Sequence, residues 1–245
     1  MSFSRRGHWL AIALCALLSA CAGTQNRHTD PVNDPWEGYN RKMHAFNMGL
    51  DRAVLRPVAK GYDTITPDPL QRGIGNFFRN LSYPVTALNQ IFQGKFVELG
   101  ESTDRFIKNT TFGLLGFIDV ATMTDVPFHD EDFGQTMATW GWEDSRYFVL
   151  PIFGPSTIRD TFGRSVYGTV HPISIYAREQ GNYWPAVADV IQFRAQLLPR
   201  DEQISSAYDP YVLIRDAWLQ NRTYLIYDGE PPEPDYDAYL QDLEE

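Results

Sequence analysis

The side chains able to act on a substrate are few and poorly grouped. His129-Asp130-Glu131-Asp132 sets an imidazole among three carboxylates, the material of a general base or a metal centre. Four adjacent loop residues cannot all turn toward one ion, and no second ligand cluster stands at a useful spacing, so a solvated acidic loop is expected there. Ser156, in Gly154-Pro155-Ser156-Thr157, looks like a helix N-cap ahead of Ile158-Arg159-Asp160 rather than a nucleophile. Gly-x-Ser-x-Gly, His-Glu-x-x-His, Cys-x-x-Cys and the P-loop are all absent. The chemistry predicts no enzyme, no metal and no soluble cofactor.

One residue does carry a covalent prediction. Cys21 ends the run Leu18-Ser19-Ala20-Cys21, behind Arg5, Arg6 and the apolar stretch Trp9 to Leu18. That stretch is too short to span a bilayer core of about 30 Å, which needs roughly 20 helical residues. It reads as an export signal over residues 1–20. The small residues before the cysteine, with a leucine three positions ahead, look like a bacterial lipobox. The expected product is a mature chain beginning at Cys21, with a diacylglycerol thioether and an N-acyl chain.

Composition narrows the function classes. Loss of residues 1–20 removes Arg5 and Arg6 and no acid, leaving 19 basic against 31 acidic side chains and a net charge of −12. An acidic chain is unsuited to nucleic acid, which wants clustered lysine and arginine. Cys15 leaves with the signal, so no cysteine pair remains and the fold must rest on packing. No mature segment approaches 18 uninterrupted apolar residues, so no conventional transmembrane helix is expected. Phe, Tyr and Trp are plentiful, at 15, 13 and 6 in the full chain, which suits a core or a membrane interface.

The elements that must position these residues read as helices. Residues 22–33 are small and polar, a tether. Asp34-Pro35-Trp36-Glu37 has the order of a capping box, and Trp36, Tyr39, Met43, Phe46, Leu50 and Val54 follow at helical steps, ending before Pro57. Asp68-Pro69 opens a second helix through Leu70, Ile74, Phe77 and Leu81, and Asp209-Pro210 another through Tyr211, Ile214 and Trp218. Pro84 is expected to start a separate short helix stopped by Gly94. Lys95 to Asn109 and a segment opened by Pro185 complete the set. Tyr147-Phe148-Val149-Leu150 is apolar, but Pro151 follows it and no hairpin dipeptide appears, so strand evidence is thin. Residues 228–245 hold eight acids and no base, an acidic tail expected to be disordered. The predicted fold class is all-α, with irregular connections and little or no strand.

Two segments invite function. Phe112-Gly113-Leu114-Leu115-Gly116-Phe117-Ile118-Asp119-Val120-Ala121 is the most apolar mature stretch, and its glycines lower the cost of bending. It is either a core-crossing turn between helices or a flexible apolar hairpin that meets lipid. The helix over 36–55 carries Asn40, His44 and Asn47 beside its apolar face, a pattern given by a surface helix or by one lining an amphipathic conduit.

Taken in order, several blocks resemble the MlaA (VacJ) family of lipoproteins. They are Asp34-Pro35-Trp36-Glu37-Gly38-Tyr39-Asn40-Arg41 with Phe46-Asn47; Asn76-Phe77-Phe78-Arg79-Asn80-Leu81; and Arg105-Phe106-Ile107-Lys108-Asn109-Thr110 with Gly116 to Ala121. Leu150-Pro151-Ile152-Phe153-Gly154-Pro155-Ser156 with Arg159-Asp160, and Ser206-Ala207-Tyr208-Asp209-Pro210-Tyr211, follow. The resemblance covers 34–227, most loosely after Gly163.

The resemblance implies a ring-shaped helical body lying in the plane of a Gram-negative outer membrane, anchored in the periplasmic leaflet. Such proteins associate with trimeric porins, take mislocalised glycerophospholipids from the outer leaflet through an amphipathic channel, and pass them to a soluble periplasmic carrier that feeds an inner-membrane ABC transporter. On that reading Met43, Phe46 and Asn47 lie on a channel-shaping helix. Gly113, Leu114, Leu115, Gly116, Phe117 and Ile118 belong to an apolar hairpin at the channel mouth. Ala22 after Cys21, where inner-membrane retention usually needs Asp, points to the outer membrane. The alternative is a structural lipoprotein that scaffolds porins without moving lipid; a lipid hydrolase ranks below both.

Overall fold

The computed structural model describes residues 34–142 and 145–232. Cys21, the export signal, the tether and the acidic tail beyond residue 232 lie outside the described residues. What they bracket is an all-α body carrying a single two-stranded hairpin.

Helix α1 (Glu37–Leu50) passes through a π-helical turn (Asp51–Leu55) into α2 (Arg56–Ile65). The expected stop before Pro57 is therefore a widening instead of an end. Proline has no N–H to give and its ring crowds the carbonyl four residues back, and a wider turn relieves both problems. The predicted capping box does not form. Asp34 is fully buried and holds the Asn40 side chain at 2.7 Å and the Tyr211 hydroxyl, while Glu37 pairs with Arg41 at 2.6 Å.

Helix α3 (Asp68–Gln93) runs unbroken through Pro84. The expected second start at that proline is overridden by tertiary packing: Tyr83, Val85, Thr86, Asn89 and Gln90 are all buried, so both halves of the helix are held against neighbours. Gly94 ends it in the left-handed conformation, at φ 75°. Then come α4 (Phe96–Thr111), the short α5 (Val120–Met123) and α6 (Phe133–Thr139).

Tyr147–Leu150 is a strand, β1, paired antiparallel with β2 (Gly154–Thr157) across Pro151-Ile152-Phe153. Ile152 takes the left-handed conformation, at φ 70°, that closes the turn without an Asn-Gly pair. Thr157, one residue beyond the predicted Ser156, caps α7 (Ile158–Val170) by accepting from the Asp160 N–H. The chain continues through α8 (Pro172–Gln180), α9 (Trp184–Leu197), a 3-10 turn (Leu198–Arg200), α10 (Asp201–Ser205) and α11 (Pro210–Ile226). Asp209 caps α11 as expected, accepting from Tyr211 N at 3.0 Å and Val212 N at 3.2 Å.

Polar side chains take an unusually large share of the interior. Among the described residues, twelve apolar side chains are fully buried against twenty-one polar or charged ones. The apolar core proper is one cluster, Tyr147, Val149 and Tyr211, flanked by Met43, Val212, Trp218 and Leu219. Large apolar side chains instead stand outward: Ile65, Phe96, Val97, Phe112, Leu114, Phe153 and Trp184 are each more than two-thirds exposed. Exposed apolar side chains in such number suit contact with lipid or protein. No helix among the described residues is long and apolar enough to cross a membrane.

Candidate functional site: a charged cavity inside an apolar exterior

The interior polarity converges on a cavity of about 490 Å³. Its wall is built by α3 (Arg79, Ser82, Thr86), the loop Phe128 to Asp132, α7 (Asp160, Gly163, Arg164, Tyr167) and α11 (Trp218, Asn221, Arg222, Leu225).

Arg222 ties three of those walls together. Its two terminal nitrogens each lie 2.7 Å from Asp132, and one also lies 2.7 Å from Asp160. Asp132 in turn caps α6 by accepting from Gln135 N at 2.9 Å. Burial alone would raise the Asp132 carboxyl, but the guanidinium and the helix N–H groups outweigh it and hold the pKa below the ordinary value. Two glycines permit this arrangement. A Cβ on Gly134 would collide with the Asp160 carboxylate and the Arg222 guanidinium, and one on Gly163 would sit 2.7 Å from the Gly134 nitrogen. Helices α6 and α7 therefore cross at backbone contact.

The acidic loop departs from the solvated expectation at Glu131, while Asp130 is exposed as expected and His129 and Asp132 are partly so. Glu131 is buried and accepts from Lys95 and Gln93, both at 2.7 Å. Asp130 is open to solvent at the cavity, and partial desolvation followed by the neighbouring Asp132 pushes its carboxyl up. The Arg79 guanidinium lies 5.4 Å from the centre of the Phe128 ring. Arg164 donates to the backbone oxygens of Phe153 at 3.1 Å and Pro155 at 2.9 Å, and burial lowers its pKa.

A serine and a histidine also meet at this wall: Ser82 Oγ lies 3.3 Å from His171 Nε2. His171 Nδ1 accepts the Ile173 N–H at 3.3 Å, so the neutral ring carries its proton on Nε2. That nitrogen points a proton, and no lone pair, at the serine. The pair lacks the base a hydrolase would need. Ser156 is buried in β2 against the Thr161 hydroxyl at 3.1 Å and does not reach the cavity wall.

The apolar segment 112–118 is a turn between α4 and α5 whose backbone is bonded at nearly every step. Leu115 N reaches Thr110 O at 3.1 Å, Gly116 N reaches Asn109 O at 2.7 Å and Ile118 N reaches Gly113 O at 2.8 Å. Asn80 donates to Leu115 O at 3.3 Å and Asn76 to Phe117 O at 3.4 Å. The two glycines serve proximity more than bending: a Cβ on Gly113 would strike the backbone oxygens of Ile118 and Asn109, and one on Gly116 (φ 95°) would strike Asn80. Leu114 and Leu115 are held left-handed at φ 52° and 60°, at roughly 1–2 kcal/mol each. Their side chains are 70% and 62% exposed, whereas Phe117 turns inward onto Gly73. Beneath the turn Arg105 is fully buried, reaching Asp119 at 2.9 Å, Thr122 at 2.9 Å and Tyr83 at 2.7 Å.

Helix α1 contributes differently. Asn47 braces the hairpin, donating to Leu150 O at 2.9 Å and accepting from Ile152 N at 2.7 Å; Met43 packs on the Tyr147 cluster; Phe46 is half exposed. None of the three side chains lines the described cavity, and neither do residues 113–118. Apart from Asp130, Glu131 and Asp132, the cavity residues escaped the sequence reading because they come from segments as far apart as Arg79 and Leu225 and share no local spacing.

Comparison with known proteins places this geometry. The family model for the MlaA lipoprotein matches residues 32–225. The Haemophilus influenzae protein called intermembrane phospholipid transport system lipoprotein MlaA is 35% identical over 230 residues, covering 89% of this chain and 91% of its own. Its Escherichia coli K12 namesake is 34% identical over 242 residues, covering 96% of each chain. A solved structure, described as the structural basis for maintenance of bacterial outer membrane lipid asymmetry, superposes with a TM-score of 0.69 at 33% identity, covering 79% of this chain and 99% of its own. The chain belongs to the MlaA lipoprotein family.

Proposed function

We propose that this chain is a non-enzymatic outer-membrane lipoprotein that moves mislocalised glycerophospholipids from the outer leaflet through the charged cavity. It then delivers them to a soluble periplasmic carrier. The observation that carries this reading is the pairing of a cavity lined by charged side chains with many large apolar side chains exposed outside it. Apolar side chains facing outward suit a body embedded in a leaflet without a spanning helix. A wet, charged interior suits a phosphate headgroup while the acyl chains stay outside. The transport role of the H. influenzae and E. coli relatives supports the same conclusion.

The remaining parts of the system follow from it. Cys21 carries the acyl chains that retain the body in the periplasmic leaflet, with Ala22 favouring the outer membrane. A trimeric porin is the outer-membrane partner, and an inner-membrane ABC transporter is the end of the route. The body has no energy source of its own, so net direction is set by those partners. Deleting the gene should place phospholipid in the outer leaflet and sensitise cells to detergent with chelator, and the wild-type chain should reverse both. Unchanged surface phospholipid would contradict the reading.

A further inference from the structure

The cavity's charges are not all spent on one another. Arg222 is neutralised by Asp132 and Asp160, and Glu131 by Lys95. Three charged groups are left over. The Arg79 guanidinium has a ring beneath it and no carboxylate partner among the described residues. Arg164 donates only to neutral backbone oxygens. The Asp130 carboxyl has neither an ion pair nor a hydrogen bond among the described residues, although its backbone oxygen accepts from Gln135 at 3.0 Å. Arg79 and Asp130 thus line one half-open cavity with opposite charges, both accessible to solvent, and do not meet each other. Unpaired and accessible, they are free to take partners of opposite sign from a ligand.

We propose that this space is a seat for a zwitterionic phosphodiester headgroup, with the phosphate on Arg79, assisted by Arg164, and a primary ammonium on Asp130. The assignment rests on the lipid-path reading above and adds to it a choice of headgroup. A guanidinium suits a phosphate oxygen pair, and an ammonium brings three donors to a carboxylate that has none. An anionic glycerol headgroup would satisfy Arg79 alone. The chain should therefore select ethanolamine-type over glycerol-type phospholipid.

The test is native mass spectrometry of the full-length lipidated protein in detergent, titrated with an equimolar mixture of phosphatidylethanolamine and phosphatidylglycerol. Wild type should favour phosphatidylethanolamine by about tenfold, the scale of one charged hydrogen bond. Asp130→Asn should bring the ratio close to one, and Arg79→Gln should weaken both lipids together. Arg79→Lys keeps the charge, so partial recovery would separate phosphate binding from loss of folding, with circular dichroism melts run on each variant. No preference in wild type, or a preference untouched by Asp130→Asn, would overturn the proposal. Adding glycerophosphoethanolamine, the headgroup without acyl chains, should compete only weakly; full competition would assign the seat to a soluble phosphodiester and overturn the lipid assignment. Failure of lipid transfer to the carrier with the selectivity intact would instead overturn the functional reading and leave the seat standing.

Discussion

Arg222 and Asp132 meet as a two-pronged pair, both guanidinium nitrogens at 2.7 Å from carboxylate oxygens ninety residues away in sequence. The contact fixes the last turns of α11 to the first turn of α6 and so closes one side of the cavity. The same guanidinium reaches Asp160 on α7, which makes it the joint of three walls.

That joint predicts a large stability loss. Arg222→Met leaves the buried Asp160 without that partner and the half-exposed Asp132 unpaired, at a cost of about 3 kcal/mol, the low end for a broken buried pair. Denaturant unfolding in detergent would measure it. Asp132→Asn should cost less, because the amide still offers an oxygen to cap α6.

The turn 112–118 separates packing from lipid contact. Gly113→Ala puts a Cβ against two backbone oxygens that cannot move aside, and should destabilise by about 2 kcal/mol or more. Leu115→Asp should stay within about 0.5 kcal/mol of wild type, since the side chain is exposed and Asp accepts a left-handed φ more readily than Leu. Yet it should abolish lipid transfer if the turn touches acyl chains. Porin association that survives in Leu115→Asp would show that the two roles part. Phe117→Asp is a poor substitute for that test, because the ring packs on Gly73 and its loss would unfold the site.

Much of the helical order is legible from local signals: Asp209 caps α11, and Gly94 ends α3. What stays hidden is decided at long range. Pro84 looks like a start because a proline favours the first turn, but the packed residues on either side of it outweigh its local cost. The acidic run His129 to Asp132 looks solvated because its partners Lys95, Gln93 and Arg222 lie 36 to 90 residues away. An exterior of apolar residues also defeats the usual rule that apolar periodicity marks the core, since here one apolar face of a helix can point at lipid.

His171 gives a pH dependence with a definite sign. Burial pushes its imidazole down to about 4, from an ordinary value of 6.5. Its Nδ1 must stay unprotonated to accept the Ile173 N–H that caps α8. Between those two values the unfolded chain binds more protons than the folded one, so stability rises with pH across the window and falls on acidification from 6.5 toward 4. The effect is on the order of 2–3 kcal/mol. His171→Asn keeps a capping acceptor and cannot titrate, so its unfolding free energy should fall less than that of wild type between pH 7 and 4.5. Equal slopes would place the acid sensitivity elsewhere.

The central claim is that lipid passes through the cavity walled by Arg79, Asp130 and Arg222. Asn221→Cys places a thiol on that wall at a solvent-exposed position, and a Cys21 acylated as proposed would not compete for the label. Transfer of phospholipid from reconstituted protein to the periplasmic carrier should be unchanged in the unlabelled variant and stop once a bulky maleimide fills the cavity. Transfer that continues at the unlabelled rate after complete modification would contradict the account.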